Sequence, residues 1–334
     1  MTADTAPART GEPTADTSTM LDITDVTVRF QLRDTVVHAL TDVTLTLRQG
    51  ELLAVVGESG CGKSVLAHAL LRLLPGNADV TGSALLHGPD REPVDLLATD
   101  ERTLARHVRG RRIGLIPQSP ATALNPVRTG RHLLAETLRA HGHTRADARD
   151  RVVAAATAVG LAERDLDRYP HELSGGMAQR LTTALALAPD PAVLLADEPT
   201  SGLDRPLVDA TLDLLRQRCD TGGSVILITH DLAAAERVAD TVAVMYASRI
   251  VEHRPAARFF AGPHHPYAHA LLDALPDRAF RPIPGHPPML TALPAGCAFA
   301  PRCPHAADDC TRQPQLQPVD GGRTACHHPT GGPT

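Results

Sequence analysis

The feature that most constrains this chain is the run Gly57-Glu58-Ser59-Gly60-Cys61-Gly62-Lys63-Ser64, together with what flanks it. Before it, Gly50-Glu51 and then Leu52-Leu53-Ala54-Val55-Val56 read as a turn and a buried apolar strand. After it, Val65 to Leu74 reads as a helix. Strand, glycine-rich loop and helix in that order fit the pattern G-x-x-x-x-G-K-[ST]. There, backbone N–H groups cradle phosphates, the lysine reaches the β- and γ-phosphates, and the hydroxyl binds Mg²⁺. The glycines let the amides turn toward one point, and the helix N-terminus adds the positive end of its dipole.

Lys63 is the only lysine among 33 Lys and Arg residues. Elsewhere the chain uses arginine, whose planar fork cannot replace a compact ammonium threaded between phosphate oxygens.

Other runs extend the picture. Leu21 to Phe30 and Ala39 to Leu47 alternate apolar and polar residues, as half-buried antiparallel strands do. Gly114-Leu115-Ile116, Val193 to Ala196 and Val225 to Thr229 read as buried strands, and Leu207 to Arg218 as a helix. Thr241 to Tyr246 with Arg249 to Glu252 reads as a hairpin, and Ser119 to Glu172 is helical in pattern. Helices between buried strands predict a largely parallel sheet covered on both faces. With aromatics at 2% and no Trp, its core is aliphatic.

A net charge of −5 leaves no footprint for nucleic acid. No apolar run reaches the ~18 residues of a membrane span, and the first twenty residues lack the apolar stretch of a signal peptide. They read as a disordered leader on a cytoplasmic chain.

Several residues are placed for phosphate chemistry. Asp197 ends an apolar strand where it can hold Mg²⁺, and Glu198 follows where it can polarise a water. Ser174, Gly175 and Gly176 open a helix, Ala178 to Leu187, as a second anion cradle. Gln118 ends a strand where its amide can reach the metal, and His230 follows a strand where it can reach a γ-phosphate. Taken singly, each also fits an acidic turn, a capped helix or a solvated side chain.

In this order the residues resemble the nucleotide-binding subunits of the ATP-binding cassette (ABC) family. Gly57 to Ser64 stands as Walker A, Gln118 as the Q-loop, Leu173 to Met177 as the family signature and Val193 to Asp197 as Walker B with Glu198 after it. Ser201 to Asp204 stands as the D-loop and His230 as the switch histidine. Met177 stands where the family usually has Gln, and Gly202 where Ala is common; neither removes a catalytic group.

The resemblance implies an α/β fold, the P-loop NTPase ABC cassette. It has a mixed core sheet, an antiparallel β subdomain and a helical subdomain over about residues 119–172. The ATPase domain is expected over 21–275, after the leader at 1–20, and a separate small Cys-containing extension over 276–334. ATP and Mg²⁺ are the implied ligands, with Ser64, Gln118 and Asp197 on the metal and Glu198, His230 and Gln118 as catalytic groups. The whole loop from Gly57 to Ser64 lies on the nucleotide, and Phe30, the one aromatic residue between Leu21 and Gly57, stacks on adenine.

In this family each ATP lies between one chain's P-loop and the other chain's signature, so a second ABC ATPase subunit is implied. Asp204 with Ser174 to Gly176 would then serve the shared sites. Two transmembrane permease subunits, an extracytoplasmic solute-binding protein and a location at the cytoplasmic face of the membrane are implied likewise.

Gln118 to Pro126, Met245 to Glu252, His265-Pro266-Tyr267 and the tail from Ile283 to His327 are similar to the dipeptide/oligopeptide importers and their nickel-importing relatives. Cys297, Cys303, Cys310 and Cys326 crowd into that tail. Four thiolates suit zinc or a [4Fe–4S] cluster. The tight C-x₂₋₄-C knuckle of zinc sites is absent, and the resemblance favours iron–sulfur. His305, His327 and His328 could complete a zinc site, and reduced cysteines or one disulfide stay open as well.

Overall fold

The computed structural model describes residues 19–88 and 91–330. Most of the expected leader lies outside them, but Thr19 and Met20 already belong to the first strand, β1 (Thr19–Gln31). Its inward residues Leu21, Ile23, Val26 and Val28 are fully buried. β1 pairs antiparallel with β2 (Val36–Arg48), as the alternation predicts. Then come β3 (Leu52–Val56), the helix Lys63–Leu70, β4 (Ala78–Gly88) and β5 (Arg91–Asp95). β2-β1-β4-β5 form one antiparallel sheet.

The second sheet is built from the apolar runs. After β3 it takes β6 (Ile113–Ile116), β7 (Val193–Asp197), β8 (Ser224–Thr229), β9 (Thr241–Tyr246) and β10 (Arg249–Pro255). The order is β10-β9-β3-β8-β7-β6, parallel from β9 to β6, with β10 antiparallel on β9. All residues of β3, β7 and β8 are buried, as strands covered on both faces require. One apolar cluster fills the space toward the antiparallel sheet, and another lies under the helices Arg205–Asp220 and Leu232–Val238. Between β6 and β7, the helices Gly130–Ala140, Arg145–Ala158 and Gly175–Leu187 enclose their own core, including Leu134, Leu138, Val152 and Leu181.

The tail departs from expectation. From its texture it should be a module of its own; instead it is woven into the cassette. β11 (Gln317–Val319) pairs with β12 (Gly322–Thr324), and β12 pairs with β10, extending the main sheet to eight strands. Phe299 is 1% exposed and packs edge-on against Tyr246 of β9 and Tyr267. Of the chain's eight aromatic residues, three Tyr and five Phe, one cluster gathers Tyr246, Phe259, Phe260, Tyr267 and Phe299. Proline-rich sequence without much apolar content lacks a core of its own, and here it borrows one.

Candidate active site

Four adjacent parallel strands run in register toward one edge of the sheet. Ile116 of β6 stands beside Ala196 of β7, Ala196 beside Leu227 of β8, and Leu227 beside Ala54 of β3. Just past that row each strand delivers a residue singled out from sequence: Gln118 after β6, Asp197 and Glu198 at the end of β7, His230 after β8, and the P-loop after β3. The carboxyl edge of such a sheet is where α/β proteins receive ligands.

The P-loop is shaped by close backbone approaches. A Cβ on Gly57 would lie 2.1 Å from the Met245 carbonyl oxygen, and one on Gly62 2.3 Å from that of Ala39, so neither position admits a side chain. Lys63 begins the helix and is 6% exposed. Its Nζ donates to the carbonyl oxygens of Gly57 at 2.7 Å and Glu58 at 3.0 Å. Ser59 and Gly60 form the exposed lip of the loop, and Cys61 is buried beneath it.

Ser64 Oγ donates to Asp197 Oδ1 at 2.9 Å. Asp197 is fully buried, and its Oδ2 has no hydrogen-bond partner among the described residues. Burial pushes its carboxyl up, against the opposing Ser64 hydrogen bond. A buried carboxylate oxygen without a partner is costly. A hydroxyl beside it completes a pair of hard oxygen donors that fits Mg²⁺.

Glu198 is 7% exposed and sits at φ 49°, a left-handed conformation unusual for a residue with a long side chain. Its amide donates to the Ile228 carbonyl at 2.9 Å, and its Oε1 lies 2.8 Å from His230 Nδ1. The two strand ends thereby aim one carboxylate and one imidazole at the same space.

The signature residues stand elsewhere. Ser174 caps the helix Gly175–Leu187 by accepting from Met177 N, so the helix opens three residues before the predicted Ala178. No hydrogen bond among the described residues joins Ser174, Gly175 or Gly176 to the P-loop. Gly176 instead faces Leu203 and Leu207, where a Cβ would meet side chains at 3.4 and 3.5 Å. Asp204 in that loop caps the helix Arg205–Asp220 through Leu207 N. Signature and D-loop thus make one surface. Gln118 is exposed, and Phe30 is half-buried on β1, packed on the core.

Glu58, expected on the nucleotide with the rest of the loop, is held by groups outside it. Its amide donates to Tyr267 Oη at 2.9 Å, and its carboxylate takes both terminal nitrogens of Arg302 at 2.8 and 2.9 Å. Both groups are occupied by the C-terminal region, leaving only its carbonyl toward Lys63. Tyr267 and Arg302 carry no sequence signal for this role, beyond the scarcity of aromatic residues.

The four tail cysteines come together around one small cavity, with His265, Phe299, His305, His327 and His328 also on its wall. All four are free of disulfides. Cys303 Sγ accepts from the His305 amide at 3.4 Å and Cys326 Sγ from the His328 amide at 3.3 Å; amides of Phe299 and Ala300 serve Cys297. Burial, with the other three cysteines close by, pushes the Cys326 thiol up to about 11. Four soft donors, three of them with amides turned toward the sulfur, fit a thiolate-bound metal centre. Asp309, Cys310 and His328 also bring ligand atoms within 4.8 Å of one another. Cys219 stands apart, its thiol pushed up to about 12 by burial.

Comparison with known proteins agrees with this geometry. Residues 40–201 match the family model "ABC transporter", and residues 251–310 match "Oligopeptide/dipeptide transporter, C-terminal region". The oligopeptide transport ATP-binding protein OppD of Salmonella typhimurium is 40% identical over 320 residues, covering 93% of this chain and 94% of OppD. A peptide import ATP-binding protein of Brucella ovis is 41% identical over 308 residues, covering 87% and 91%. The dimeric ATP-binding cassette MJ0796, solved with ADP and Pi, shares the fold with a TM-score of 0.64 at 24% identity, covering 71% of this chain and 99% of that one. The chain therefore belongs to the ATP-binding subunits of ABC transporters, in the branch that carries the oligopeptide/dipeptide transporter C-terminal region.

Proposed function

We propose that this chain is the ATP-hydrolysing subunit of an importer of dipeptides and oligopeptides, driving transport through separate membrane subunits. One observation carries the reading: Ser64–Asp197 and Glu198–His230 meet at the carboxyl edge of the parallel sheet, in a chain with an oligopeptide-transporter tail. Relatives named OppD are oligopeptide transport ATP-binding proteins.

In this reading the amides from Gly60 to Ser64 receive the phosphates, and Lys63 turns its ammonium from the Gly57 and Glu58 carbonyls to the β- and γ-phosphates. Ser64 and Asp197 would hold Mg²⁺, with Gln118, just past β6, within the same ligand set; such an ion would supply positive charge against the phosphates. Glu198 accepts a hydrogen bond from the attacking water and orients it toward the γ-phosphate. His230 steadies that carboxylate and reaches the phosphate. Phe30 stacks on adenine.

Ser174, Gly175, Gly176 and Asp204 face a second ATPase subunit and complete its site, as its signature completes this one. The cassette spans 21–275, and its helical region over 119–172 docks two permease subunits at the cytoplasmic face of the membrane. A solute-binding protein delivers the peptide on the far side. Cys297, Cys303, Cys310 and Cys326 would hold a [4Fe–4S] cluster that cross-links the tail; the amides on three of the sulfurs support this. The mixed donors Asp309, Cys310 and His328 favour zinc as a second reading.

The test is ATPase activity of the reconstituted transporter with its binding protein. Peptide should stimulate turnover, and Glu198→Gln should abolish that stimulation. Stimulation by a nickel complex and none by any peptide would assign another solute.

A further inference from the structure

We propose that Arg302 is a positioning residue for nucleotide binding: from the C-terminal tail it clamps Glu58 and so sets the stretch of P-loop that aims Lys63. The proposal rests on the reading of the P-loop as the ATP site.

The clamp is built as a fixed object. Arg302 has a side chain only 4% exposed. Its two terminal nitrogens take the two oxygens of Glu58 side by side, at 2.8 and 2.9 Å. This bidentate geometry sets direction as well as distance. Nε donates to the Pro284 carbonyl at 2.7 Å, and one terminal nitrogen also donates to Tyr246 Oη at 3.1 Å. The guanidinium carbon lies 5.7 Å from the Tyr246 ring centre and 5.8 Å from that of Phe299, within cation–π range. Tyr246 belongs to β9, beside β3, so the guanidinium rests on the sheet that carries the P-loop.

What it clamps is one step from the chemistry. Glu58 is fixed at three points: its amide by Tyr267 Oη, its carboxylate by Arg302, and its carbonyl by Lys63 Nζ. The neighbouring Gly57 carbonyl takes the same ammonium. The direction of these two carbonyls decides where Lys63 rests and how far it travels to meet a phosphate. Without Arg302, the Glu58 side chain, already 26% exposed, can turn into water at little cost to the fold. The 57–58 peptide then loses a restraint and the cradle is less ordered before nucleotide arrives. Ordering it on binding lowers affinity rather than the chemical rate.

The experiment titrates the full chain and its variants with a fluorescent ATP analogue and follows thermal unfolding of each. Arg302→Gln should raise the dissociation constant about tenfold, or about 1.4 kcal/mol. Glu58→Gln should match it within about twofold, and the double variant should bind no more weakly than either, since the two act as a unit. Arg302→Lys, which keeps the charge but loses the fork, should recover part of the affinity, a rescue that general loss of packing would not give. Wild-type protein without nucleotide affinity would refute the ATP-site reading itself. Wild type that binds, Lys63→Ala that does not, and Arg302→Gln that binds as tightly as wild type would overturn the positioning role alone. Losses that multiply in the double variant would overturn it too. Should Arg302→Gln not fold, Glu58→Gln decides: unchanged affinity there ends the proposal.

Discussion

His230 Nδ1 lies 2.8 Å from Glu198 Oε1, across the ends of two adjacent parallel strands, while Glu198 is held at φ 49°. The strained backbone turns the carboxylate into reach of the imidazole.

Glu198→Gln should retain ATP binding and lower kcat by about 10²–10³, because the charge that orients water is gone while the shape remains. His230→Ala should lower kcat less, leaving the carboxylate present but free to rotate. Steady-state ATPase rates of the assembled transporter give both numbers; near-normal turnover in Glu198→Gln would remove it from the catalytic role.

Lys63→Arg should weaken nucleotide binding by at least about tenfold, despite conserving charge. Lys63 is 6% exposed and its ammonium fits between two carbonyls at 2.7 and 3.0 Å. A planar guanidinium has no room there. Equilibrium titration checks this, and an unchanged dissociation constant with normal hydrolysis would contradict it.

The chain alone should be a poor ATPase, because Ser174 to Gly176 and the P-loop share no hydrogen bond among the described residues, and the signature packs instead on the D-loop through Gly176. Specific activity should rise with protein concentration, or on adding a partner cassette of the proposed kind. Activity per molecule that stays high and constant on dilution would show that one chain suffices.

Anaerobic purification should give a brown protein with roughly four iron and four sulfide per chain. Replacing Cys310 by Ser should bleach it. The tail should loosen only locally, around 304–316, because Phe299 stays buried and β12 stays paired with β10. Limited proteolysis with metal analysis reads both; stoichiometric zinc in a colourless protein would favour the mixed site around Asp309 and His328.

Stability should fall as the solution is acidified. Burial, helped by the charges of Arg323 and Arg48, pushes His253 down from 6.5 to about 4. Below 6.5 the unfolded chain takes up a proton that the folded chain refuses, so stability is lost as pH drops toward 4, by roughly 3 kcal/mol at most. His253→Leu should flatten this part of the curve. Denaturant midpoints at pH 7 and pH 4.5 for both proteins test it.

The P-loop, the strand ends and the capped helices were legible because their signals are local. Glycine spacing, an apolar run of five and a serine before a helix each act within a few residues. Boundaries moved where one residue decides. The first helix opens at Lys63 rather than Val65 because the loop's last residues complete its first turn, and it ends at Leu70, before Arg72 at φ 50°. What was not legible is pairing across distance. Glu58 and Arg302 stand 244 positions apart, and nothing near either announces the other. The tail's prolines correctly signal a segment without its own core, but not that Phe299 inserts into another.

The pairing of β12 with β10 has a consequence of its own. β10 is seven residues long and would otherwise close the sheet with a row of open amides and carbonyls, a template for joining one molecule to the next. The tail covers its middle through residues 323–325 and presents β11 to solvent instead. β11 has only three residues, and one is Pro318, which cannot donate to a neighbouring strand. The tail thereby exchanges a long edge open to edge-to-edge aggregation for a short one that resists it, and a chain cut after Leu275 should clump where the intact one stays dispersed.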